Sequence, residues 1–158
     1  MAQNNDTFID DTLFRGIIEK TPLVSLDLVV KNGERVLLGR RLNKPAKGYW
    51  FTIGGRIFKN EKLDETITRI ARDELGVELH SMPRFIGVFE HLYDDSIYEG
   101  VSTHYINLVY EVEIDELPDL PVEQHDTYRW FTVDELLKDE KVHRYIKEIF
   151  IRENSVKY

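Results

Sequence analysis

The residues best suited to chemistry in this sequence lie between Gly54 and Val77, where two glycines precede a segment of helical periodicity. Apolar residues at helical spacing predict one apolar stripe, formed by Leu63, Ile67, Ile70, Ala71 and Leu75. At about 100° per residue, Glu74 falls near the middle of that stripe, and a carboxylate that faces a core needs a compensating cation or metal ion. Arg69 lies about 140° away round the helix and is not an obvious partner. Two accounts follow: Glu74 binds a divalent ion, or the helix twists enough for Glu74 to reach solvent.

The spacing across residues 55–77 favours the metal account. This stretch resembles the Nudix box, G-x5-E-x7-R-E-U-x-E-E-x-G-U with U aliphatic, at Gly55, Glu61, Arg69, Glu74, Gly76 and Val77. Two positions depart from the box: Ile70 stands where the family has Glu, and Asp73 stands where it has the first Glu of a pair. These departures bear on how many metals bind and on which bond breaks.

Segments outside the box extend the resemblance over roughly residues 20–135. They are Thr21–Asp27, Leu38–Arg41, Asn43–Trp50, His91–Asp95, Thr103–Tyr105 and Glu123–Trp130. Together they are similar to the GDP-mannose mannosyl hydrolase branch of the Nudix family, and Gln124-His125 is the most specific part. That branch also lacks the Glu at the position of Ile70, so this departure supports the branch.

The branch implies hydrolysis of GDP-mannose, or of another GDP-hexose, to GDP and free sugar. Water attacks the anomeric carbon with inversion, whereas most Nudix enzymes attack phosphorus. The implied cofactor is Mg²⁺, with Mn²⁺ as a substitute, held by the Gly55 carbonyl, Glu74 and Gln124. These are hard oxygen donors, as Mg²⁺ prefers. Asp73 is an additional candidate ligand, although a role as a solvated partner of Arg69 or Arg72 is favoured.

The resemblance also implies two catalytic residues, His125 and Arg41. Water that attacks a sugar carbon needs a proton acceptor with a pKa near the working pH, and His125 is the candidate base. It is expected in a loop, with neighbouring carboxylates that raise its pKa. Arg41 and Arg56 would clamp the diphosphate, whose charge grows as the bond breaks. The alternative for Arg41 is a surface charge at a strand end.

Three further residues complete the implied substrate site. Asp27 would accept hydrogen bonds from sugar hydroxyls, and His91 and Tyr105 would contact phosphate or sugar oxygens. All three lie on predicted strands, and Tyr105 as plain core packing stays an alternative. His80 and His143 have no motif context and are interpreted as surface residues.

The elements that must position these residues predict one α+β domain over residues 1–158, a Nudix-type α/β/α sandwich with a mixed sheet. Strands are predicted over 23–31, 36–41, 49–53, 85–93, 103–114 and 128–131. Besides the box helix, helices are predicted over 7–19, from about 132, and over 140–152. The first is capped by Asp6 or Thr7 and serves as a structural cap or a dimer contact. Asn32-Gly33 predicts a hairpin, and residues 117–123 a loop.

Composition excludes several other classes. The chain has 158 residues and no cysteine, which excludes disulfides and thiolate metal sites. A net charge of -8 disfavours nucleic-acid binding. No apolar run is long enough for a membrane span, and the polar N-terminus has no apolar signal region. We expect a cytoplasmic protein and, from the family resemblance, a homodimer.

Two other functions remain open from the sequence. The first is a Nudix pyrophosphohydrolase that attacks phosphorus in a nucleotide sugar or a nucleoside triphosphate, against which Ile70 argues. The second is a non-catalytic nucleotide-sugar sensor, against which Glu74, Gln124 and His125 argue. The sequence does not identify the sugar, because hexoses differ by one hydroxyl or its orientation.

Overall fold

The computed structural model describes residues 8–115 and 125–155. In chain order, its elements are α1 (Asp11–Lys20), β1 (Leu23–Asn32), β2 (Arg35–Arg41), β3 (Trp50–Phe51), β4 (Ile53–Arg56), α2 (Leu63–Ile70), a π-helical turn (Ala71–Leu75), β5 (Arg84–Tyr93), β6 (Thr103–Glu113), β7 (His125–Thr132), α3 (Val133–Lys138) and α4 (Arg144–Ser155). No helix in these two ranges combines the length and hydropathy needed to cross a bilayer.

The strands form one mixed seven-stranded sheet around β1. β1 joins β2 through the predicted hairpin, in which Asn32 pairs with Arg35 and Gly33 takes a φ of +59°. On its other side β1 runs parallel to β6, which pairs antiparallel with β5. β4 pairs with β1, and β3 and β7 pair with β2. Because β1 and β6 run parallel while the other pairs are antiparallel, the sheet is mixed, as predicted.

Helices cover both faces of this sheet because β1 alternates its side chains between two cores. One core packs α2 and the π-helical turn against β1, through Leu26, Leu28, Val30, Ile67, Ile70 and Leu75. The other packs α3 and α4 against the opposite face, through Val29, Val36, Phe131, Leu136, Ile146 and Ile149. The α/β/α sandwich and the α+β class are therefore confirmed.

The bounds of several predicted elements differ from the structure. The strand predicted over 49–53 is two strands, because Trp50–Phe51 pair with β2 whereas the strand that begins at Ile53 pairs with β1. The first helix begins at Asp11 with Asp10 as its N-cap, and the predicted caps lie outside the described residues. The final helix begins at Arg144. The whole of the predicted loop over 117–123 also lies outside the described residues.

The helix of the box ends in a π-helical turn that the sequence did not predict. Gly76 stops it in the left-handed conformation at φ 67°, as predicted. Leu63 is 41 % exposed, so its place in the buried stripe was wrong: it lies in the first turn, ahead of the buried residues. A π turn bonds i to i+5 and changes the direction of the residues within it, and Glu74 is half-buried rather than enclosed.

Candidate functional site

A cavity of about 180 Å³ lies where β1, β2, β4, β5 and β6 meet. It brings together six of the nine predicted site residues: Asp27, Arg41, Gly55, Arg56, His91 and Tyr105. They come from five strands that are distant in sequence, and the sheet register makes them neighbours. His91 and Tyr105, for example, are Cα partners across β5 and β6. The structure thus supports one common site, while the role of each residue stays a prediction.

Asp27 forms the buried floor of this cavity. Its side chain is 6 % exposed, and its Oδ2 accepts hydrogen bonds from Thr52 Oγ1 at 2.8 Å and from Asn107 Nδ2 at 3.0 Å. Burial raises the pKa of Asp27 to about 6, against the lowering effect of these two bonds and of the Arg41 charge. At pH 7 the carboxylate is therefore mainly ionised.

The two predicted clamp arginines both line the cavity and are held by different contacts. Arg41 Nε donates to the Pro45 carbonyl at 2.8 Å. The Arg56 guanidinium carbon lies 4.9 Å from the ring centre of Phe14 and 5.3 Å from that of Phe58. Phe14 belongs to α1, so the N-terminal helix helps to fix a cation at the site. These contacts orient both guanidiniums before any ligand arrives.

The charge balance of the cavity favours an anionic ligand. Two guanidiniums, from Arg41 and Arg56, face one carboxylate, from Asp27. His91 adds no charge at neutral pH, because burial and then the neighbouring His143 lower its pKa to about 4. The cavity is thus locally positive in a chain whose net charge is -8.

An aromatic cluster from α4 and the residues before it supports His91. The His91 ring is 2 % exposed and stacks on Tyr145, with ring centres 4.5 Å apart and planes 4° apart. Among the described residues, its buried Nε2 has no hydrogen-bond partner. The Tyr145 hydroxyl donates to the Leu92 carbonyl at 2.7 Å and accepts from the Leu92 N–H at 2.9 Å. The start of α4 thereby holds the end of β5 at the cavity.

His143 was wrongly interpreted as a surface residue. Its ring packs against those of Tyr49, Phe51, Tyr93 and Tyr145. Burial lowers its pKa to about 4, with a further lowering from the charges of nearby arginines. The sequence shows only a His next to a helix start, whereas the cluster requires β3, β5 and α4 to meet. His80 is exposed, as predicted.

Glu74 does not line the cavity. It lies on the π-helical turn that follows α2. A Cβ on Gly55 would lie 3.8 Å from the Ile70 side chain, and Glu74 follows Ile70 by four residues along the helix. Burial and then the Glu74 carboxylate raise the pKa of Tyr128 on β7. Glu74 thus lies near Tyr128, on the face of the sheet that α2 covers.

The oxygen donors predicted for a metal here are of the type that hard divalent ions prefer. In the described part of the chain no three His, Asp or Glu side chains converge on one point. A metal ion at Glu74 therefore needs backbone or amide oxygens as well, and the Gly55 carbonyl and the Gln124 amide are of that kind. Gln124 itself lies outside the described residues. Oxygen donors of this type suit Mg²⁺ or Mn²⁺.

His125 was predicted in a loop, and this prediction was wrong: His125 is the first residue of β7. Its Cα pairs with that of Arg41, one of the cavity residues. The strand starts earlier than the predicted Tyr128 because β7 pairs with β2 as far back as His125. The backbone at His125 therefore reaches the edge of the cavity.

Arg69 and Asp73 take structural positions. Arg69 Nε bonds Glu61 at 3.0 Å, its terminal nitrogen donates to the Arg56 carbonyl at 2.9 Å, and its guanidinium lies over the Phe58 ring at 3.9 Å. It therefore ties the box helix to the end of β4 and to the residues that follow it. Asp73 pairs with Arg72 on the surface at 3.2 Å, which agrees with the solvated alternative.

The sequence did not indicate Ser25, Thr52, Asn107 or Tyr145 as site residues. Each is an ordinary polar residue in or next to a predicted strand or helix, and no motif surrounds it. One signal was present: polar residues interrupt the apolar runs of the strands at Ser25 and Asn107. Such interruptions mark buried polar groups that need partners.

The sandwich, the box helix that follows β4 and the positive cavity together define an α+β domain with one candidate ligand site. The family model described as NUDIX domain matches residues 21–151, and the chain belongs to this family of hydrolases. Divalent metal ions are the general cofactors of the family.

Relatives agree with this assignment. The chain is 45 % identical over 116 residues to the low-salt glycan biosynthesis protein Agl8 of Haloferax volcanii, which covers 73 % of this chain and 74 % of that protein. A MutT protein from Methanosarcina mazei Go1 has a TM-score of 0.71 at 21 % identity, covering 86 % and 96 % of the two chains. The NUDIX domain of Shewanella oneidensis NrtR, solved with ADP ribose, has a TM-score of 0.66 at 17 % identity, covering 99 % and 100 %. The two structural likenesses show the fold.

Proposed function

We propose that this protein hydrolyses GDP-mannose, or a closely related GDP-hexose, to GDP and free sugar by attack of water at the anomeric carbon. The observation that carries the proposal is the cavity in which Arg41 and Arg56 face the buried Asp27. Guanidiniums suit a diphosphate, and a buried carboxylate suits a hydroxyl donor. A sugar diphosphate presents both groups in one ligand.

The size of the cavity supports a part-enclosed nucleotide sugar. At about 180 Å³ it is smaller than the roughly 300–1,000 Å³ of pockets that enclose a whole drug-sized ligand. The sugar and the adjoining phosphate would fill it, and the nucleoside would lie outside. The relative named for low-salt glycan biosynthesis also supports a sugar-containing substrate.

Attack at carbon is favoured over attack at phosphorus by Ile70. Its side chain is 1 % exposed within the apolar core beside Gly55, where the family box has Glu. The carboxylate on which many Nudix pyrophosphohydrolases rely is therefore absent. The pyrophosphohydrolase reading, with a nucleotide sugar or a nucleoside triphosphate as substrate, is the second candidate.

The residues divide the work as follows. His125 accepts the proton of the attacking water, and the bond from the anomeric carbon to the leaving oxygen breaks with inversion. Arg41 and Arg56 bind the diphosphate and stabilise the charge that it gains as GDP departs. Asp27 accepts a hydrogen bond from a sugar hydroxyl, and Tyr105, which also lines the cavity, donates to a ligand oxygen.

A divalent metal completes the proposal. The Gly55 carbonyl, Glu74 and Gln124 would hold Mg²⁺ or Mn²⁺, and a bound metal would supply further positive charge at the diphosphate. A homodimeric, cytoplasmic enzyme stays our prediction for assembly and location.

The test is turnover of GDP-mannose with Mg²⁺ in ¹⁸O-labelled water, with both products read by mass spectrometry. Label in mannose supports attack at carbon. Label in a phosphate product would replace the proposal with the pyrophosphohydrolase. Binding of GDP-mannose with its return unchanged would favour the sensor, for which a NUDIX domain solved with ADP ribose offers a structural parallel.

Two variant pairs test the roles. His125→Gln should lower kcat by about 10²–10⁴-fold while Mg²⁺ affinity holds, and the exposed His80→Gln is its control. Glu74→Gln should weaken Mg²⁺ activation, with the exposed Glu78→Gln as control. Unchanged turnover in the first variant would remove His125 as base, and an undiminished metal response in the second would remove Glu74 from the ligand set.

A further inference from the structure

A chain of hydrogen bonds beneath the cavity connects four buried polar side chains, three of which have no part in the proposed reaction. Ser25 Oγ donates to Asn107 Oδ1 at 2.8 Å. Asn107 Nδ2 donates to Asp27 Oδ2 at 3.0 Å, and Thr52 Oγ1 donates to the same oxygen at 2.8 Å. Asn107 is fully buried, and the other three side chains are also buried. Buried polar groups of this kind are costly unless every partner is in place.

The sheet register fixes which group donates and which accepts in this series of hydrogen bonds. Ser25 and Asp27 lie two residues apart on β1 and face the same side, and Ser25 is the Cα partner of Asn107 on β6. The Ser25 hydroxyl donates to the amide oxygen of Asn107, which leaves the amide NH₂ for Asp27. A flipped amide would place its oxygen against the Asp27 carboxylate, so only one orientation satisfies both contacts.

The two oxygens of Asp27 consequently differ. Oδ2 accepts two hydrogen bonds, whereas no donor among the described residues reaches Oδ1. Oδ1 lies on the side of Gly54, where an added Cβ would come within 2.0 Å of it. Gly54 and Asp27 both line the cavity. The absence of a side chain at position 54 therefore leaves room for Oδ1 at the cavity wall.

We propose that Asn107 and Thr52 are positioning residues that hold Oδ2 of Asp27 and leave Oδ1 as the acceptor for one ligand hydroxyl, with Ser25 fixing the Asn107 amide. The inference deepens the proposed function and rests on it for the identity of the ligand. Its chemical content is a specificity rule: the ligand must present a hydroxyl hydrogen to this oxygen. The phosphodiester groups of a nucleotide sugar carry no proton at pH 7 and would not satisfy it.

The first test needs no substrate. The side-chain carboxyl carbon of Asp27 is followed by ¹³C NMR against pH, with and without Mg²⁺, and is assigned by its loss in Asp27→Asn. Thr52→Val and Asn107→Leu each remove one donor to the ionised form, so the titration midpoint should rise from about 6 by about one pH unit. Thr52→Ser keeps the hydroxyl and should restore the wild-type midpoint.

Other charges near Asp27 stay constant in this series. Arg41 on β2 faces it, and its charge also acts on Tyr93 and Tyr105 from β5 and β6. The matched control is Thr66→Val, which removes a buried hydroxyl bonded to the Lys62 carbonyl at 3.0 Å on α2. This control should leave the midpoint unchanged. A midpoint that is also unchanged in both Thr52→Val and Asn107→Leu would overturn the proposal.

The second test uses turnover and separates the two proposals. In an enzyme active on GDP-mannose, Thr52→Val should shift the acid limb of the kcat/KM profile to higher pH, by the same amount as the NMR midpoint. At pH 5 this shift corresponds to a kcat/KM about tenfold below that of wild type, and Thr66→Val should show no such loss. An acid limb that stays in place would overturn the hydroxyl-binding role of Asp27. A shifted NMR midpoint in a protein without GDP-mannose turnover would support the positioning and refute the proposed substrate.

Discussion

Adding one methyl group at Gly54 should destabilise the fold, whereas adding one at Gly55 should not. A Cβ at position 54 would lie 2.0 Å from Asp27 Oδ1 and 2.6 Å from the Leu26 carbonyl oxygen. At position 55 its nearest neighbours would be Ile70 side-chain atoms at 3.8 and 3.9 Å, which are ordinary contact distances. The two glycines are adjacent on β4 and face opposite sides of the sheet, so each is the control for the other.

The magnitude follows from what would have to move. Asp27 is held by Thr52 and Asn107, and hydrogen bonds to a charged group contribute about 1.5–3 kcal/mol each. The Leu26 carbonyl belongs to the backbone of a central strand and cannot rotate away. We therefore expect Gly54→Ala to cost about 3 kcal/mol, near the upper end of the usual range for overpacking. At about 2–4 °C per kcal/mol for a domain of this size, Tm should fall by about 6–12 °C.

The assay is thermal unfolding of wild type and both variants at pH 7, read by circular dichroism. Gly55→Ala should melt at or slightly above the wild-type temperature, because Ala lowers the entropy of the unfolded chain. Similar melting temperatures for the two variants would refute the reasoning, since they would mean that Asp27 Oδ1 does not occupy the space beside Gly54.

Three further predictions concern the contacts around the site. Arg69→Met should destabilise the fold by about 1.5–3 kcal/mol, because it leaves a half-buried carboxylate and a carbonyl without their donor. The control Arg72→Met loses only an exposed ion pair and should change the free energy of unfolding by less than about 0.5 kcal/mol. Urea unfolding measures both variants, and equal losses would contradict this prediction. Stability against pH should carry two opposing contributions. Asp27 titrates at about 6 when folded and at 3.8 when unfolded, so the folded state holds the extra proton and its stability falls as pH rises from about 4 to 6, a fall that Asp27→Asn should remove. The pKa of His91 is about 4 in the folded state and 6.5 in the unfolded state, so stability rises from about pH 4 to 6.5, and His91→Asn should flatten this rise. Tm of wild type and both variants, measured across this range, checks the signs. Profiles of the variants that run parallel to that of wild type would contradict them. Tyr145→Phe keeps the ring stacked on His91 but loses both hydroxyl bonds to β5, and we expect it to lower the free energy of unfolding by about 1–3 kcal/mol in urea, with no change counting against the contact.

Local sequence patterns determined the elements and the family. The Asn32-Gly33 turn, the alternating strands and the stop at Gly76 are set by the conformational preferences of a few neighbouring residues, and the structure confirms all three. The box spacing depends on one helix and the loop before it, so it was also visible in the sequence. Asp27, Arg41, Arg56, His91 and Tyr105 were predicted from segments that resemble the family, and the cavity contains all five.

Tertiary structure alone decided what surrounds these residues. His143 joins the site because the start of α4 packs against β3 and β5, which are about fifty or more residues away in sequence. The Ser25–Asn107 contact exists because β1 and β6 pair in parallel, in a register that no local pattern specifies. The box helix likewise ends in a π-helical turn, which the local sequence pattern did not predict, and Glu74 lies within it. The sequence determined which groups carry the chemistry, because residue type and short-range spacing suffice for that. Burial, pKa and hydrogen-bond direction depend on partners brought together by long-range packing, and only the folded chain decides them.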